Sequence, residues 1–343
     1  MKRSESAMGQ TVLELQHKFG PRSVILMYHR IAEVDSDPWS LCVTPRHFAE
    51  HLEVLRKRGR TIQVRQLAES LENGKVPRRS VVVTFDDGYA DNLYNAKPLL
   101  EHYDVRATVF LVTSYVGLKQ EFWWDELERL LLQPGRLPET LRLTINGSTY
   151  HWELGEAVRY SEDAYLSHRS WRTWEDAPSS RHSLYFSLWR LLRPLPESER
   201  RAVLDKLLAW AGAEPAARST HRALSREEVL VLARQGLIEI GSHTMTHPLL
   251  STCPSTAQRE EIQRSKAELE EVLGCPVTSF AYPYGDYTGE TIALVREAGF
   301  ACACSTSAAV VGPGTDRFQL PRVQVHDWSR EEFAGQLSMW LDG

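Results

Sequence analysis

The sequence predicts an α/β protein, a distorted (β/α)7-type barrel that carries an inserted α+β subdomain. Short apolar runs, each typical of a strand buried on both faces, alternate with amphipathic helices along most of the chain. This alternation indicates parallel βαβ units, and about seven such units fit a barrel better than an open sheet. A segment from about residue 120 to residue 222 breaks the alternation and predicts the insertion.

Seven apolar runs predict the strands, and capping residues predict the helices between them. The first helix has Thr44 as a natural N-cap, Pro45 at the first helical position and Gly59 at its end. Ser225 and Glu228 form a capping box before a later helix. The predicted strands are Val24–Tyr28, Val81–Phe85, Thr108–Val112, Leu237–Ile240, Thr278–Ala281, Phe300–Cys304 and Phe318–Val325.

The chain is predicted to have three parts. These are an N-terminal extension at residues 1–22, a barrel formed by residues 23–119 and 223–343, and an inserted subdomain at residues 120–222. Within the insertion, alternating apolar residues flank Asn146-Gly147, the strongest signal for a two-residue hairpin turn, and two helical patterns follow. Seven of the ten tryptophans lie in this insertion. Their faces can stack on sugars, but packing of helices in a small lobe is the simpler interpretation.

Composition excludes several functional classes. The 343 residues include 40 Lys and Arg against 45 Asp and Glu, so a basic excess for nucleic-acid binding is absent. No apolar run is long enough to predict a transmembrane helix, and residues 1–20 lack the apolar core of a secretory signal. The five cysteines have no CxxC spacing, which favours free thiols, with Cys302 and Cys304 as buried strand residues. We therefore expect a cytoplasmic location.

Two adjacent aspartates follow the predicted strand Val81–Phe85. Burying Asp86 and Asp87 side by side is costly unless a cation relieves their repulsion. Successive residues at a strand end point in different directions, so one carboxylate can bind a metal while the other faces a water. The alternative is that one of them only caps the next helix.

A second polar cluster follows Leu237–Ile240 and contains His243 and His247. If this segment makes a helical turn, the i and i+4 spacing places both imidazoles on one face. A lone HxxxH pattern is weak, because two histidines reach this spacing by chance. With an aspartate, however, two imidazoles form a ligand set that leaves a position open for water, as in catalytic zinc sites.

Two further clusters lie at predicted strand ends. Tyr282-Pro283-Tyr284-Gly285 forms an aromatic turn that can line a pocket and present backbone N–H groups to a substrate oxygen, or can be simply a rigid turn. His29 stands where the first strand meets a loop, and His326 stands in the same relative position after the last strand. The carboxyl ends of barrel strands are where such enzymes assemble their active sites.

The ordered motifs TFDDGY (Thr84–Tyr89), SHTMTH (Ser242–His247) and FAYPYG (Phe280–Gly285) resemble those of the polysaccharide deacetylases, carbohydrate esterase family 4 with the NodB-homology domain. The resemblance covers roughly residues 23–118 and 223–325. It implies a distorted barrel that binds one divalent metal, usually zinc. The inserted segment matches no part of this family core.

The resemblance also implies roles for particular residues. Asp87, His243 and His247 correspond to the metal ligands, Asp86 to the general base, and Tyr284 to the residue whose backbone N–H holds the oxyanion. His29 corresponds to the general acid, and we favour it over His326. The family's third motif usually contains an arginine that orients the base, and Ala281 stands there in this chain.

We therefore expect a guanidinium group from elsewhere, and the candidate is Arg322, in the last predicted strand. Arginine suits a fixed bidentate contact with a carboxylate.

The predicted function is metal-dependent hydrolysis of N-acetyl groups on an amino sugar of a polysaccharide, oligosaccharide or glycan precursor. One alternative keeps the metal site but acts on another amide, either non-sugar or on a carrier-linked sugar. The other is a non-catalytic glycan-binding protein, against which the paired aspartates argue.

Overall fold

The computed structural model describes residues 22–215 and 217–342. Its strands are β1 (Ser23–Tyr28), β2 (Arg30–Ile31), β3 (Cys42–Val43), β4 (Arg60–Ile62), β5 (Ser80–Phe85), β6 (Ala107–Leu111), β7 (Gly135–Arg136), β8 (Thr140–Ile145), β9 (Ser148–Glu153), β10 (Arg159–Tyr160), β11 (Ile238–Ser242), β12 (Ser279–Ala281), β13 (Cys302–Cys304) and β14 (Val323–Gln324). Its α-helices are α1 (Pro45–Arg58), α2 (Val64–Glu72), α3 (Lys97–Tyr103), α4 (Trp123–Leu132), α5 (Glu162–His168), α6 (Ser180–Leu192), α7 (Glu197–Ala211), α8 (Arg226–Ala233), α9 (Ser255–Leu273), α10 (Gly289–Glu297) and α11 (Arg330–Asp342).

A parallel sheet forms the centre of the fold. Its strands follow the order β13-β12-β11-β6-β5-β1-β14, and β4 pairs with β5 beside this path. The longest pairing joins β1 to β5, from Ser23 opposite Ser80 to Tyr28 opposite Phe85. A parallel bridge between Cys304 and Leu320 brings the β13 edge near the start of β14. The sheet therefore curls into a partial barrel, and the predicted fold class is confirmed.

The sheet is buried because its strands are apolar on both faces. Every residue of β1 and β5 is buried, as the continuous apolar runs predict. Helix α1 begins as expected, with the Thr44 side chain accepting a hydrogen bond from the His47 N–H and Pro45 in the first turn. The predicted capping box before α8 also forms. Cys302 and Cys304 are buried in β13, as predicted.

The last strand of the sheet is much shorter than the apolar run that predicted it. Of Phe318–Val325, only Val323–Gln324 forms a strand, paired with Leu26 and Met27 of β1. Pro321 lacks the N–H that a ladder requires, so regular pairing is interrupted there. The chain before it instead makes local turns, in which Asp316 accepts hydrogen bonds from the backbone of Phe318 and Gln319.

The predicted hairpin of the insertion is present as β8 and β9. Asn146 and Gly147 have φ values of 49° and 76°, the two positive values that a type I′ turn demands. Helices α6 and α7 follow, where the apolar spacing predicts them.

A second buried cluster unites these elements with Tyr89, Val112 and Tyr115 of the barrel. Most tryptophans of the insertion join or pack against this cluster, as the simpler interpretation of their enrichment expects. The exact limits of the inserted subdomain stay a prediction.

The predicted N-terminal extension lies almost entirely outside the described residues. Among the helices of residues 22–215 and 217–342, none combines the length and apolar character needed to cross a membrane. The cytoplasmic location stays a prediction.

Candidate metal centre and active site

One cavity of about 440 Å³ opens at the carboxyl ends of the barrel strands. The structure brings all seven of the predicted site residues to its wall: His29, Asp86, Asp87, His243, His247, Tyr284 and Arg322. The residues come from the loops after β1, β5, β11 and β12 and from the segment leading into β14. Arg322 lies directly before β14 rather than within a strand, because β14 contains only two residues, which pair with the carboxyl half of β1.

Three side chains form a candidate metal centre. Ligand atoms of Asp87, His243 and His247 all lie within 4.8 Å of one another, and all three residues are buried. The Oδ1 atom of Asp87 is 3.7 Å from Nε2 of His243 and 3.5 Å from Nε2 of His247. In a tetrahedral zinc site with ligand bonds of about 2.0–2.1 Å, neighbouring ligand atoms lie roughly 3.4 Å apart. The spacing therefore suits one metal ion.

The chemistry of the three donors also fits a cation. Asp87 Oδ1 is buried without a hydrogen-bond partner, an arrangement that a positive charge would complete. Burial and the neighbouring Asp86 carboxylate raise the pKa of Asp87, so its anion is unfavourable without a cation. Nδ1 of His243 lies 2.8 Å from the Ala281 carbonyl oxygen. That contact requires a proton on Nδ1, which leaves the Nε2 lone pair facing Asp87.

The two histidines converge without a helical turn, so the condition attached to their i and i+4 spacing is not met. The segment after β11 is irregular, and Thr244 and His247 have positive φ values of 66° and 57°. Glu261 of α9 fixes this loop by accepting hydrogen bonds from the backbone N–H groups of Met245 and Thr246. The carboxylate thus offsets the cost of the left-handed conformations, and the imidazole rings meet with centroids 4.8 Å apart.

Asp86 is held by Arg322 in a fully buried bidentate ion pair. Both nitrogen–oxygen distances are 2.7 Å, and the guanidinium also donates to the Ser305 carbonyl and the Thr84 hydroxyl. Burial alone would raise the pKa of Asp86, but Arg322 outweighs it and lowers that pKa to about 2. Asp86 therefore remains an oriented anion, and Arg322 occupies the place expected of the arginine missing from the third motif.

His29 and His326 lie in different surroundings. His29 lines the cavity, where burial lowers its pKa to about 4 against the opposing effect of the Asp86 charge. His326 is not among the cavity-lining residues, and its Nδ1 is 2.9 Å from the Ser40 hydroxyl. The position of His29 suits a group that exchanges protons with a bound substrate.

Tyr284 stands in a tight turn after β12. Its φ of 57° is left-handed, and its ring lies 4.4 Å from that of His247. At the next residue, Gly285, a Cβ atom would lie 2.0 Å from the Thr306 hydroxyl, so only glycine fits. The turn is therefore closely constrained beside the candidate metal centre.

Sequence reasoning missed several cavity-lining residues, among them the four large side chains Trp39, Trp124, Trp189 and Arg193. Three of these four residues come from the insertion, and the tryptophans of the insertion had been interpreted as packing residues. Trp124 lies 5.0 Å from the His247 ring, and the rings of Trp39 and Trp189 are 4.1 Å apart. Tryptophan enrichment was the only signal, and it did not distinguish lining residues from core residues.

Comparison with known proteins supports the same interpretation. Residues 73–134 and 207–303 match the family model described as polysaccharide deacetylase. A candidate polysaccharide deacetylase of Bacillus subtilis, YxkH, is 32% identical over 108 residues, which cover 31% of this chain and 37% of the relative. A poly-β-1,6-N-acetyl-D-glucosamine N-deacetylase of Staphylococcus epidermidis is 31% identical over 108 residues, covering 28% and 37%. The aligned parts thus span little more than a third of each relative.

A solved structure, IcaB from Ammonifex degensii, shares the fold with a TM-score of 0.58 at 20% identity. The match covers 94% of this chain and 98% of that one. The chain therefore shares the barrel fold of this structure and carries an Asp-His-His cluster at the carboxyl ends of its strands. The family model and the curated relatives confirm the resemblance to polysaccharide deacetylases that the motifs carry.

We predict that Arg322→Gln destabilises the protein by about 3–5 kcal/mol, because it leaves Asp86 as an unpaired buried charge. Urea unfolding at pH 7 measures this loss. The matched control is Arg317→Gln, which breaks a partly exposed ion pair with Glu72 and should cost no more than about 1 kcal/mol. Equal losses in both variants would contradict the proposed importance of the buried pair.

The same pair predicts a pH dependence of stability. The pKa of Asp86 is about 2 in the folded protein against an ordinary 3.8. Its stabilising contribution is therefore full above about pH 4 and is lost as the pH falls toward 2. The stability difference between wild type and Arg322→Gln should narrow over that interval.

We expect the wild-type protein to bind one equivalent of zinc, and His247→Ala to weaken the affinity at least about 100-fold, since one of three ligands is lost. Titration with a chromophoric zinc chelator measures both values. His326→Ala, which removes an imidazole outside the cluster, should bind zinc like the wild type. Unchanged affinity in His247→Ala would exclude the Asp87–His243–His247 site.

Proposed function

We propose that the protein is a metal-dependent hydrolase that removes N-acetyl groups from amino sugars of a polysaccharide or oligosaccharide. The observation that carries this proposal is the juxtaposition of two units in one cavity. One unit is the Asp87, His243 and His247 cluster, and the other is Asp86 held as an anion by Arg322. A binding protein has no need of a second carboxylate kept ionised beside a metal site.

Zinc is the metal we propose, because two imidazoles and one carboxylate form a borderline-soft set with room for further ligands. When bound, the ion supplies Lewis acidity to the acyl group and to the attacking water. No fourth protein ligand accompanies the three among the described residues. The protein therefore leaves coordination positions for reactants.

The remaining chemistry belongs to side chains of the cavity. Asp86 accepts a proton from the attacking water, and Arg322 fixes the direction of its carboxylate. The Tyr284 N–H donates a hydrogen bond to the oxyanion that forms on the acyl carbon. His29 delivers a proton to the amide nitrogen as its bond to carbon breaks. Water and an N-acetyl group thus become acetate and a free amino group.

The substrate class rests on the relatives and the cavity. One curated relative is named a poly-β-1,6-N-acetyl-D-glucosamine N-deacetylase. The cavity is walled by Trp39 and Trp189, whose faces suit the C–H surface of a sugar ring. We therefore propose N-acetylglucosamine units of a glycan as the substrate.

We expect the zinc-loaded protein to release acetate from β-1,6-linked N-acetylglucosamine oligomers, and Asp86→Asn to lose at least about 10²-fold in kcat, since it removes the proton acceptor. An enzyme-coupled acetate assay measures the rate. The control is zinc stoichiometry, which Asp86→Asn should retain. Full turnover by Asp86→Asn would exclude Asp86 as the base. A zinc-bound wild type inactive on both β-1,6 and β-1,4 oligomers would exclude the proposed substrate.

The two candidate acids are separated by a second pair of variants. His29→Gln should lower kcat by about 10²-fold or more while zinc binding persists, because the leaving nitrogen is no longer protonated. His326→Gln should retain wild-type kcat, since that imidazole lies outside the cavity. The reverse pattern would assign the proton donor to His326.

A further inference from the structure

A second groove lies on the insertion, against a face of helix α6 next to the one that lines the active-site cavity. Its volume is about 500 Å³. Helix α6 buries Leu184, Leu188 and Leu192 in the core of the insertion. Trp189 and the C-cap residue Arg193 line the active-site cavity. Five other residues of α6, including Phe186, line the groove. The helix is thus the shared wall of both spaces.

The lining of this groove combines the groups that bind carbohydrate. Tyr150, Trp171 and Phe186 contribute aromatic surface, and Tyr150 is stacked on Trp152 with ring centroids 5.7 Å apart. Hydroxyl and charged groups accompany the rings: Thr173, Ser183, Ser187, Glu175, Asp176 and Arg190. Apolar faces with hydrogen-bonding groups around them match the C–H faces and hydroxyl edges of sugars.

An exposed tryptophan stands at the rim of the groove. Trp174 lies between Thr173 and Glu175, both of which line the groove, and 65% of it is exposed. It is the most exposed of the large apolar side chains in the described ranges 22–215 and 217–342. The Trp174 side chain therefore adds an accessible aromatic face next to the rings that line the groove.

Aromatic contacts connect this groove with the active-site cavity. The Phe186 ring lies 6.3 Å from that of Trp39, and Trp39 in turn lies 4.1 Å from Trp189. Trp39 and Trp189 both line the active-site cavity. Rings in mutual contact therefore link the wall of the active-site cavity to the wall of the groove.

We propose that the groove binds further sugar units of the same glycan whose N-acetyl group occupies the active-site cavity, so that the insertion selects long chains over short ones. This inference rests on the proposed function for its substrate. It adds a second binding region, with Tyr150, Trp174 and Phe186 as its aromatic contacts. The occupant is the uncharged N-acetylated chain rather than an acidic glycan, because Glu175 and Asp176 outnumber Arg190 among the charged lining residues and would repel an anion.

The test compares the β-1,6-linked dimer and hexamer of N-acetylglucosamine through the ratio of their kcat/KM values for acetate release. In the wild type we expect kcat/KM for the hexamer to exceed that for the dimer by at least about tenfold. This ratio should fall by at least about fivefold in Trp174→Ala and in Tyr150→Ala, because each variant loses one aromatic contact with the longer chain. Trp174 is exposed, so its truncation should leave folding intact. The control, Leu166→Ala, removes an exposed apolar side chain of the insertion that lines neither space, and should keep the wild-type ratio.

A second readout separates this inference from the proposed function. Hexamer and dimer binding to the metal-free protein are measured calorimetrically. If no oligomer is hydrolysed, the proposed function fails, while hexamer binding that weakens at least about fivefold in both groove variants still supports the groove. A wild-type ratio near one, absent hexamer binding, or equal behaviour of the groove variants and Leu166→Ala would overturn the inference.

Discussion

Two adjacent carboxylates buried at the end of β5 are the constraint around which the site is organised. Asp86 and Asp87 cannot both remain charged in a closed environment unless each has its own cation. Arg322 satisfies Asp86 through two short hydrogen bonds, whereas Asp87 faces only imidazoles and keeps an unpartnered oxygen. Arg322 thus compensates the charge of Asp86, whereas the charge of Asp87 is left for a cation at the candidate metal centre.

The insertion is part of this arrangement rather than an appendage. Arg200 of α7 is completely buried and donates to the carbonyl oxygen of Thr246, the residue directly before His247 of the candidate metal centre. Trp124 of α4 donates to the Tyr89 hydroxyl, and its ring lies against that of His247. Residues outside the family motifs therefore help to fix one face of the candidate metal centre. A change in the core of the insertion should therefore alter the position of His247.

The sequence predicted which strand ends carry the site residues, but it did not predict the local conformation of the loop that holds the two histidines. Asp86, Asp87, His243 and His247 were identifiable because polar residues directly after buried strands must gather at one end of a parallel barrel. The conformation of the His243–His247 loop was not, because Glu261, 14 residues beyond His247, supplies the hydrogen bonds that permit its positive φ values. Trp189 and Arg193 were missed for a related reason: helical periodicity predicts which face is buried, not what the other face meets.

Arg322 shows that a guanidinium group can reach Asp86 from a segment outside the third motif. The third motif has Ala281 where a guanidinium is expected, yet Asp86 still receives a bidentate partner from the segment before β14. That segment reaches Asp86 because β14 pairs with β1, which is itself the neighbour of β5. A parallel bridge between Cys304 and Leu320 brings the edge strand β13 to the same segment. The carbonyl oxygen of Ser305, the residue after β13, accepts a hydrogen bond from Nε of Arg322. The pairing of β14 and the orientation of Asp86 are thus linked through Arg322, so disturbing the short last strand should disturb Asp86 as well.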